Sequence, residues 1–253
     1  MSRVFAVMLG FHAHETIKGA MEAFEATVDP SNHIVKWFFD PGYPLPDKHV
    51  NRALNRQIAS HYGWIYTEIE NEGVLGNWNK VIHDHLNMVN GDFLITYDPD
   101  VRMNKKGWIP AMVEALRSDD TAMFCSSALD FHHHDWMQRP PYSRKVVELP
   151  SGLRVARYDC LIAWASGMWR ADALITRPRD FGARGKYYGW NEHADYERML
   201  KNNWTWVSVA DFVDHHLGTP DAKYVEWKQK TAAGQLSVKF EEWILTDVDK
   251  VQG

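Results

Sequence analysis

The sequence predicts an α/β fold, a single domain with a mainly parallel central sheet flanked by helices and an embellished C-terminal half. Three observations lead there. From Val4 to Arg117, short apolar runs alternate with stretches of helical periodicity, the order that folds into a doubly wound sheet. Phe93 to Tyr97 is an apolar run bounded by turn residues, which reads as a buried strand. The chain has 253 residues, room for one sizeable α/β domain or two small ones, and no internal repeat or low-complexity segment divides it.

Val4 to Leu9 is the first expected strand, broken by Gly10, and Ala13 to Ala26 is a helix with Ile17, Met21 and Phe24 on one face. His33 to Phe39 is the second strand, stopped by the dense turn signal Asp40-Pro41-Gly42-Tyr43-Pro44. A helix from Asp47 to His61 presents Val50, Leu54 and Ile58, and Trp64 to Ile69 is the third strand. The polar loop Glu70 to Gly76 leads to a helix expected from Asn77 to Val89, with Asn77 a candidate N-cap. Phe93 to Tyr97 follows, then Asp98-Pro99-Asp100 and a helix from Lys105 to Arg117. Pro99 cannot donate to a sheet ladder, so both acids belong to the loop beyond the strand.

Regularity fails after Ser118. Ala122 to Ser126 reads as a strand ahead of a polar insert, Asp130 to Asp135, and Val146-Val147 with Leu153 to Val155 suggests a hairpin. Leu161 to Trp164 is apolar and runs into Ser166-Gly167-Met168, read as a turn where glycine also permits close backbone approach. A Gly/Arg-rich loop from Arg177 to Gly189 precedes an acid-rich helix, Asn191 to Leu200. Trp204 to Val209 is a late strand before Asp214-His215-His216, and the tail from Pro220 reads as irregular plus helix.

Composition sets the class. No stretch approaches the ~20 uninterrupted apolar residues of a membrane-spanning helix, and the N-terminus has no signal-peptide pattern. Cys125 and Cys160 form no metal-binding spacing, so free thiols in a reducing cytoplasm are expected. Twelve tryptophans offer faces for stacking sugars or bases, although most tryptophans fill core. Charge is uneven. Between Met137 and Lys186 ten basic side chains stand against four acids in a chain of net charge −5. Such a segment marks an anionic partner or a solvated surface balanced by acids elsewhere.

Alone, Asp98-Pro99-Asp100 is more often a polar turn than a site. Its setting reverses that preference, because in an open α/β sheet ligands bind outside the carboxyl ends of the strands. Two hard oxygen donors there suit a divalent cation that itself holds phosphate oxygens.

The order of these pieces resembles the family-2 glycosyltransferases with the GT-A fold, from about Arg3 to Thr219. The matching pieces are Leu9-Gly10-Phe11-His12 after the first strand, Asp40 after the second, and Asn71-Glu72-Gly73 with Asn77 and Asn79 after the third. Asp98-Pro99-Asp100, the helix start Glu192-His193-Ala194-Asp195 and the strand end Asp214-His215-His216 complete the series. The resemblance implies a nucleotide-sugar-binding half over about residues 1–118, an acceptor and catalytic half over about 119–219, and a tail over 220–253. It implies donor contacts from Gly10, Phe11, His12, Asp40, Asn71, Asn77, Asn79, Asp98 and Gly167. It implies Mn2+ or Mg2+ on Asp100, with Asp98 on ribose or metal and His215 or His216 as a further ligand. Inverting transfer from a nucleotide sugar, a UDP-sugar by resemblance, needs a carboxylate base. Asp195 holds the family's position and Glu192 competes, since Ala194 stands where the family has an acid. First-turn acids complementing a helix dipole are the bland alternative for both. Trp190, Arg170 and Arg184 are candidate acceptor contacts, and the basic segment points to an anionic acceptor such as modified nucleic acid.

Two rival classes stay open. Asp214-His215-His216, His83-Asp84-His85 and His132-His133-His134-Asp135 superficially resemble ligands of a metal-dependent phosphohydrolase or nucleotidyltransferase. Two residues apart on a helix, however, His83 and His85 point to different faces. Tryptophan content and the basic segment suit a non-catalytic module that binds glycan or nucleic acid.

Overall fold

The computed structural model describes residues 2–45, 47–103, 105–129, 145–158, 166–179, 192–216 and 221–244, with the backbone alone described at 128–129, 158, 166, 192–194, 196, 210, 213–216 and 232. The first half runs β1 (Val4–Leu9), α1 (His14–Thr27), β2 (Ile34–Asp40), α2 (Lys48–His61), β3 (Ile65–Glu68) and α3 (Gly73–Lys80). A single π-helical turn, Val81–His85, extends α3, and β4 (Phe93–Tyr97), β5 (Val101–Met103) and α4 (Trp108–Arg117) follow. The second half contains β6 (Ala122–Leu129), β7 (Lys145–Glu148), β8 (Arg154–Tyr158), β9 (Ser166–Arg170), α5 (Ala171–Ile175), α6 (Glu192–Asn202), β10 (Thr205–His216) and α7 (Ala222–Ala232).

One sheet carries all the described strands, in the order β3-β2-β1-β4-β9-β6-β10-β8-β7, with β5 hydrogen-bonded to β10. β3, β2, β1 and β4 are parallel neighbours, as are β6 and β10. β9 lies antiparallel between β4 and β6, and the β7–β8 hairpin extends the sheet antiparallel to β10. The parallel expectation therefore describes the first half, and the second half is mixed. Ser166-Gly167-Met168, read as a turn, opens the central strand β9.

Core formation follows from strand alternation. Ala6 and Met8 of β1 pack on one face of the sheet with Ile17, Met21 and Phe24 of α1 and Trp108 and Met112 of α4. Phe5 and Val7 face the other side, where Trp78, Val81, Ile82, Leu174 and Met199 cover them. β4 is buried along its whole length, as strands sandwiched between helical layers are. Trp78, Trp108, Trp169 and Trp206 are fully buried, so these four tryptophans serve the core and not a sugar platform. α2 begins where Asp47 accepts the His49 and Val50 N–H groups at 2.8 and 2.9 Å, an N-cap that fixes the helix start.

A third apolar cluster lies apart from these two. Tyr224, Trp227, Phe240, Trp243 and Ile244 from the C-terminal segment gather around Tyr43, with Phe11, Ala13 and Leu45 against them. The tail read as irregular plus helix does hold a helix, α7, and the segment is a strap fastened to the loops after β1 and β2.

Candidate active site at the carboxyl edge of the sheet

β1, β2 and β4 all end at one edge, and Asp98-Pro99-Asp100 turns there directly after β4. Asp98 is half-buried and Asp100 is 5% exposed. The Val101 N–H donates to the Asp98 carbonyl at 3.2 Å and closes the turn. β5 then pairs antiparallel with the end of β10, setting Val101 opposite His216 and Arg102 opposite His215. Paired strands lie roughly 5 Å apart, so the backbone of the histidine pair runs beside the acid turn.

Arg102 holds that turn. Its Nη1 donates to the carbonyls of Pro99 and Val101, both at 2.8 Å, and its Nη2 reaches the Thr16 carbonyl of α1 at 3.2 Å. Gly19 makes this possible. A Cβ at that position would stand 2.7 Å from Arg102 Nη2, so a glycine that weakens the middle of α1 admits the guanidinium. Lys228, on α7, lies within electrostatic reach of the turn. Burial pushes its ammonium below the ordinary lysine value, and the fields of Asp100 and Asp98 oppose that shift. Sequence reasoning missed both cations. The signal for Arg102 was Gly19 inside an otherwise regular helix; for Lys228 there was none.

The other expected donor contacts fare differently. Gly10 donates its N–H to the Phe39 carbonyl at 3.0 Å and lies against the Phe38 ring. Phe11 and His12 reach the edge, but both engage Tyr224 of the strap, Phe11 at 5.6 Å and His12 edge-on at 5.8 Å. Asp40 turns inward. Its carboxylate is fully buried and accepts from the Gly42 N–H at 2.7 Å, Asn55 Nδ2 at 3.0 Å and the Tyr66 hydroxyl at 3.1 Å. Burial raises its pKa and those hydrogen bonds lower it; the carboxylate fastens β2 to α2 and β3 instead of facing a nucleotide base.

Asn71 accepts the Gly73 N–H at 3.0 Å and donates to Glu241 at 3.0 Å, so it joins the start of α3 to the strap. Asn77 is not an N-cap, because α3 begins at Gly73; its Oδ1 accepts the Glu72 N–H at 2.9 Å from within the helix. Asn79 is buried in the same helix. Gly167 pairs with Thr96 near the edge, but the space a side chain would fill holds the Phe124 ring, 2.2 Å from a built Cβ. Its small size serves core packing rather than approach of a donor.

Asp195 lies one turn inside α6 and is 4% exposed. Its Oδ2 accepts from Arg177 Nη2 at 3.0 Å, and its Oδ1 lies 3.6 Å from Arg198 Nη1, the i,i+3 neighbour. Burial raises the Asp195 pKa and the two guanidinium groups lower it; burial likewise drives the Arg177 value down to about 10. Glu192 is the first residue of α6, described in its backbone alone.

Arg170 lies away from the acid turn. It pairs with Phe93 at the start of β4, four residues from the acid-turn end and thus roughly 13 Å away. There it donates to the Asp120 carbonyl at 3.3 Å and bridges Asp172 at 3.2 Å. Trp190, Arg184 and His132 to Asp135 lie outside the described residues.

The described arginines of the basic segment are committed to acids. Arg154 binds Asp211, Arg157 binds Asp119 at 2.6 Å, Arg177 binds Asp195 and Arg179 binds Asp84 at 2.5 Å. The local excess of positive charge is balanced by acids contributed from elsewhere, in this part of the segment at least. The rival histidine pair is dispersed as well: the His85 ring packs on Phe39 at 5.0 Å, while burial and the nearby Arg179 depress the His83 imidazole.

Among the described residues no group of three or more His, Cys, Asp or Glu is arranged around a cation position. Asp98 and Asp100 still fit a divalent cation as two hard oxygen donors on one turn beside a strand that ends in histidines.

No protein-family model matches the chain, and no curated protein matches its sequence. Solved structures do resemble it. The mannosyltransferase PcManGT from Pyrobaculum calidifontis, in complex with GDP-Man and Mn2+, aligns with a TM-score of 0.57 at 13% identity, over 90% of this chain and 60% of its own. GalNAc-T7 with UDP, GalNAc and Mn2+ aligns with a TM-score of 0.60 at 11% identity, over 87% of this chain and 44% of its own. This chain therefore spans three-fifths of the first protein and under half of the second. Identities this low speak to architecture alone, and the architecture is GT-A-like.

Proposed function

We propose that this chain is a divalent-metal-dependent glycosyltransferase that moves a sugar from a nucleoside-diphosphate donor, a UDP-sugar, to a hydroxyl-bearing acceptor with inversion. The single observation that carries the reading is the placement of Asp98 and Asp100. They stand on one turn at the carboxyl edge of the parallel half, beside the end of β10, in a GT-A-like fold. The two similar structures hold nucleotides or nucleotide sugars and Mn2+, which supports the same ligand classes here.

In this reading Asp100 holds Mn2+ or Mg2+, Asp98 holds the ribose or a metal-bound water, and His215 or His216 supplies a further donor. The bound cation supplies a Lewis acid for the charge that develops on the leaving diphosphate. The chain's own part is positioning. Arg102 fixes the acid turn, Phe11 and His12 shape the loop above it, and a carboxylate takes the acceptor proton. The acceptor oxygen forms its bond to the anomeric carbon as the bond to the diphosphate oxygen breaks, and the diphosphate leaves with that electron pair. We assign the base to Glu192, because Asp195 is buried and bound to two guanidinium groups. Asp195 becomes a positioning residue that anchors the first turn of α6. The charge pairing in the basic segment removes part of the motive for an anionic polymer, and the acceptor class is left at a hydroxyl.

The test is incubation of the full chain with a panel of nucleotide sugars and Mn2+ or Mg2+, measuring nucleoside diphosphate release and binding by calorimetry. Metal-dependent UDP release, lost in Asp100→Asn, is expected. Release of inorganic phosphate or nucleoside monophosphate instead would establish the hydrolase, and no nucleotide-sugar binding with or without metal would end the transferase reading.

A further inference from the structure

Between Tyr97 and Arg102 the acid turn commits its backbone oxygens to the protein itself. The Asp98 carbonyl accepts the Val101 N–H at 3.2 Å. The Pro99 carbonyl accepts from Arg102 Nη1 at 2.8 Å, and the same nitrogen donates to the Val101 carbonyl at 2.8 Å. The Val101 carbonyl also accepts the Tyr97 hydroxyl at 3.2 Å, so both of its lone pairs are engaged. Tyr97, Pro99 and Val101 are all buried. The Tyr97 ring packs edge-on against Phe24 at 5.2 Å and stacks on Trp108 at 6.2 Å, which fixes where its hydroxyl points.

These bonds decide which oxygens of the turn serve a cation. A divalent ion ligated by the Pro99 or Val101 carbonyl would stand within roughly 5 Å of a guanidinium nitrogen, a like charge in a buried setting. Both carbonyls are closed to cations for that reason, and the Tyr97 hydroxyl closes the second a further time. Ca2+ takes about six to eight oxygens and draws readily on backbone carbonyls, whereas Mg2+ keeps several waters and needs few carboxylates. Resting on the metal-dependent reading above, we propose that Arg102 and Tyr97 determine cation selectivity: by occupying the backbone carbonyls of the acid turn they leave a cation to be held through side chains and water, which favours Mg2+ and Mn2+ over Ca2+. Arg102 therefore does more than hold the turn in place, since its fork removes ligands that the larger ion would use.

The experiment is competition of Mg2+ and of Ca2+ against Mn2+ on the full chain, followed by the electron paramagnetic resonance signal of free Mn2+. It compares wild type with Arg102→Lys, Tyr97→Phe and Asp100→Asn, the last defining which binding belongs to this site. In wild type, Mg2+ should displace Mn2+ at a concentration at least about tenfold below that of Ca2+. Arg102→Lys keeps the charge but loses the fork, and should narrow that gap at least about fivefold. Tyr97→Phe keeps the ring packing and should narrow it about twofold to threefold, with Mn2+ affinity within about twofold of wild type. Ca2+ competing as well as Mg2+ in wild type overturns the selectivity and leaves the transferase reading standing. A ratio unchanged in Arg102→Lys does the same, and an unchanged ratio in Tyr97→Phe removes the hydroxyl's part even where Arg102→Lys fails to fold. Absence of Mn2+ binding in every protein overturns the metal-dependent reading together with this one.

Discussion

The guanidinium of Arg102 donates to the carbonyl of Pro99 at 2.8 Å, and so grips the acid turn by the residue between its two carboxylates. The same side chain reaches back to Thr16 at 3.2 Å. The backbone of the acid turn is therefore tied to α1, a helix that contributes no carboxylate to it.

Gly19→Ala tests this. The added methyl would stand 2.7 Å from Arg102 Nη2, and the flexible arginine must swing away. Alanine favours a helix interior by up to about 1 kcal/mol over glycine, so thermal stability should hold or rise slightly while Mn2+ affinity and turnover fall. A variant with unchanged affinity would show that the turn keeps its shape without the clamp.

Gly167→Ala addresses the sheet. Its Cβ would collide with the Phe124 ring at 2.2 Å, with strands on either side of β9 leaving no room to shift. Overpacking of this kind costs about 1–3 kcal/mol. The double variant Gly167→Ala/Phe124→Leu should recover part of the loss, measured as non-additivity in urea unfolding.

Asp195→Asn should act on stability first. It leaves the fully buried Arg177 side chain without its carboxylate, and breaking a buried pair costs about 3–5 kcal/mol. Glu192→Gln should leave unfolding unchanged and lower kcat by at least about a hundredfold, the low end of the contribution of a general base. A stable Asp195→Asn with no turnover would return the base to Asp195.

Asp92 governs part of the acid limb. Burial pushes its carboxyl up, but hydrogen bonds from the Arg3 side chain and from the Val89 and Arg3 N–H groups outweigh burial and hold it below the usual range. A carboxyl lowered by folding stabilises the protein above its unfolded value of about 3.9 and loses that contribution as pH falls through the folded value. Asp92→Asn should therefore be less stable at neutral pH by about 1–3 kcal/mol. The gap to wild type should narrow below pH ~4, as denaturant midpoints would record.

Much of the first half was legible because β1, β2 and β4 are predominantly apolar runs followed closely by Gly or Pro, and burial makes the same demand that the pattern expresses. β9 was not, since a strand that opens on Ser166-Gly167 carries turn residues for a reason seen only when Phe124 arrives from β6. β5 has three residues after a proline turn, too few for any period. The start of α3 was misplaced because Gly73 and Gly76 weaken the helical signal, and the π-turn after it keeps the same apolar residues in line. At the edge, the acids and the histidine pair were brought together in the sequence by the family resemblance, and the backbone of β5 does pair with the end of β10. Arg102 and Lys228 could not, because tertiary packing alone brings α1 and α7 to them. The inward turn of Asp40 also needed Asn55 and Tyr66 in place to be recognised.

The Tyr43–Asp221 hydrogen bond joins residues 178 positions apart. Phe11 and Tyr43 are made long before the aromatic partners that cover them, which lie between Tyr224 and Ile244. During synthesis the carboxyl edge consequently stays bare until nearly the whole described chain has emerged. Nascent chains of this protein should present a greasy, open edge to chaperones until the strap has been made.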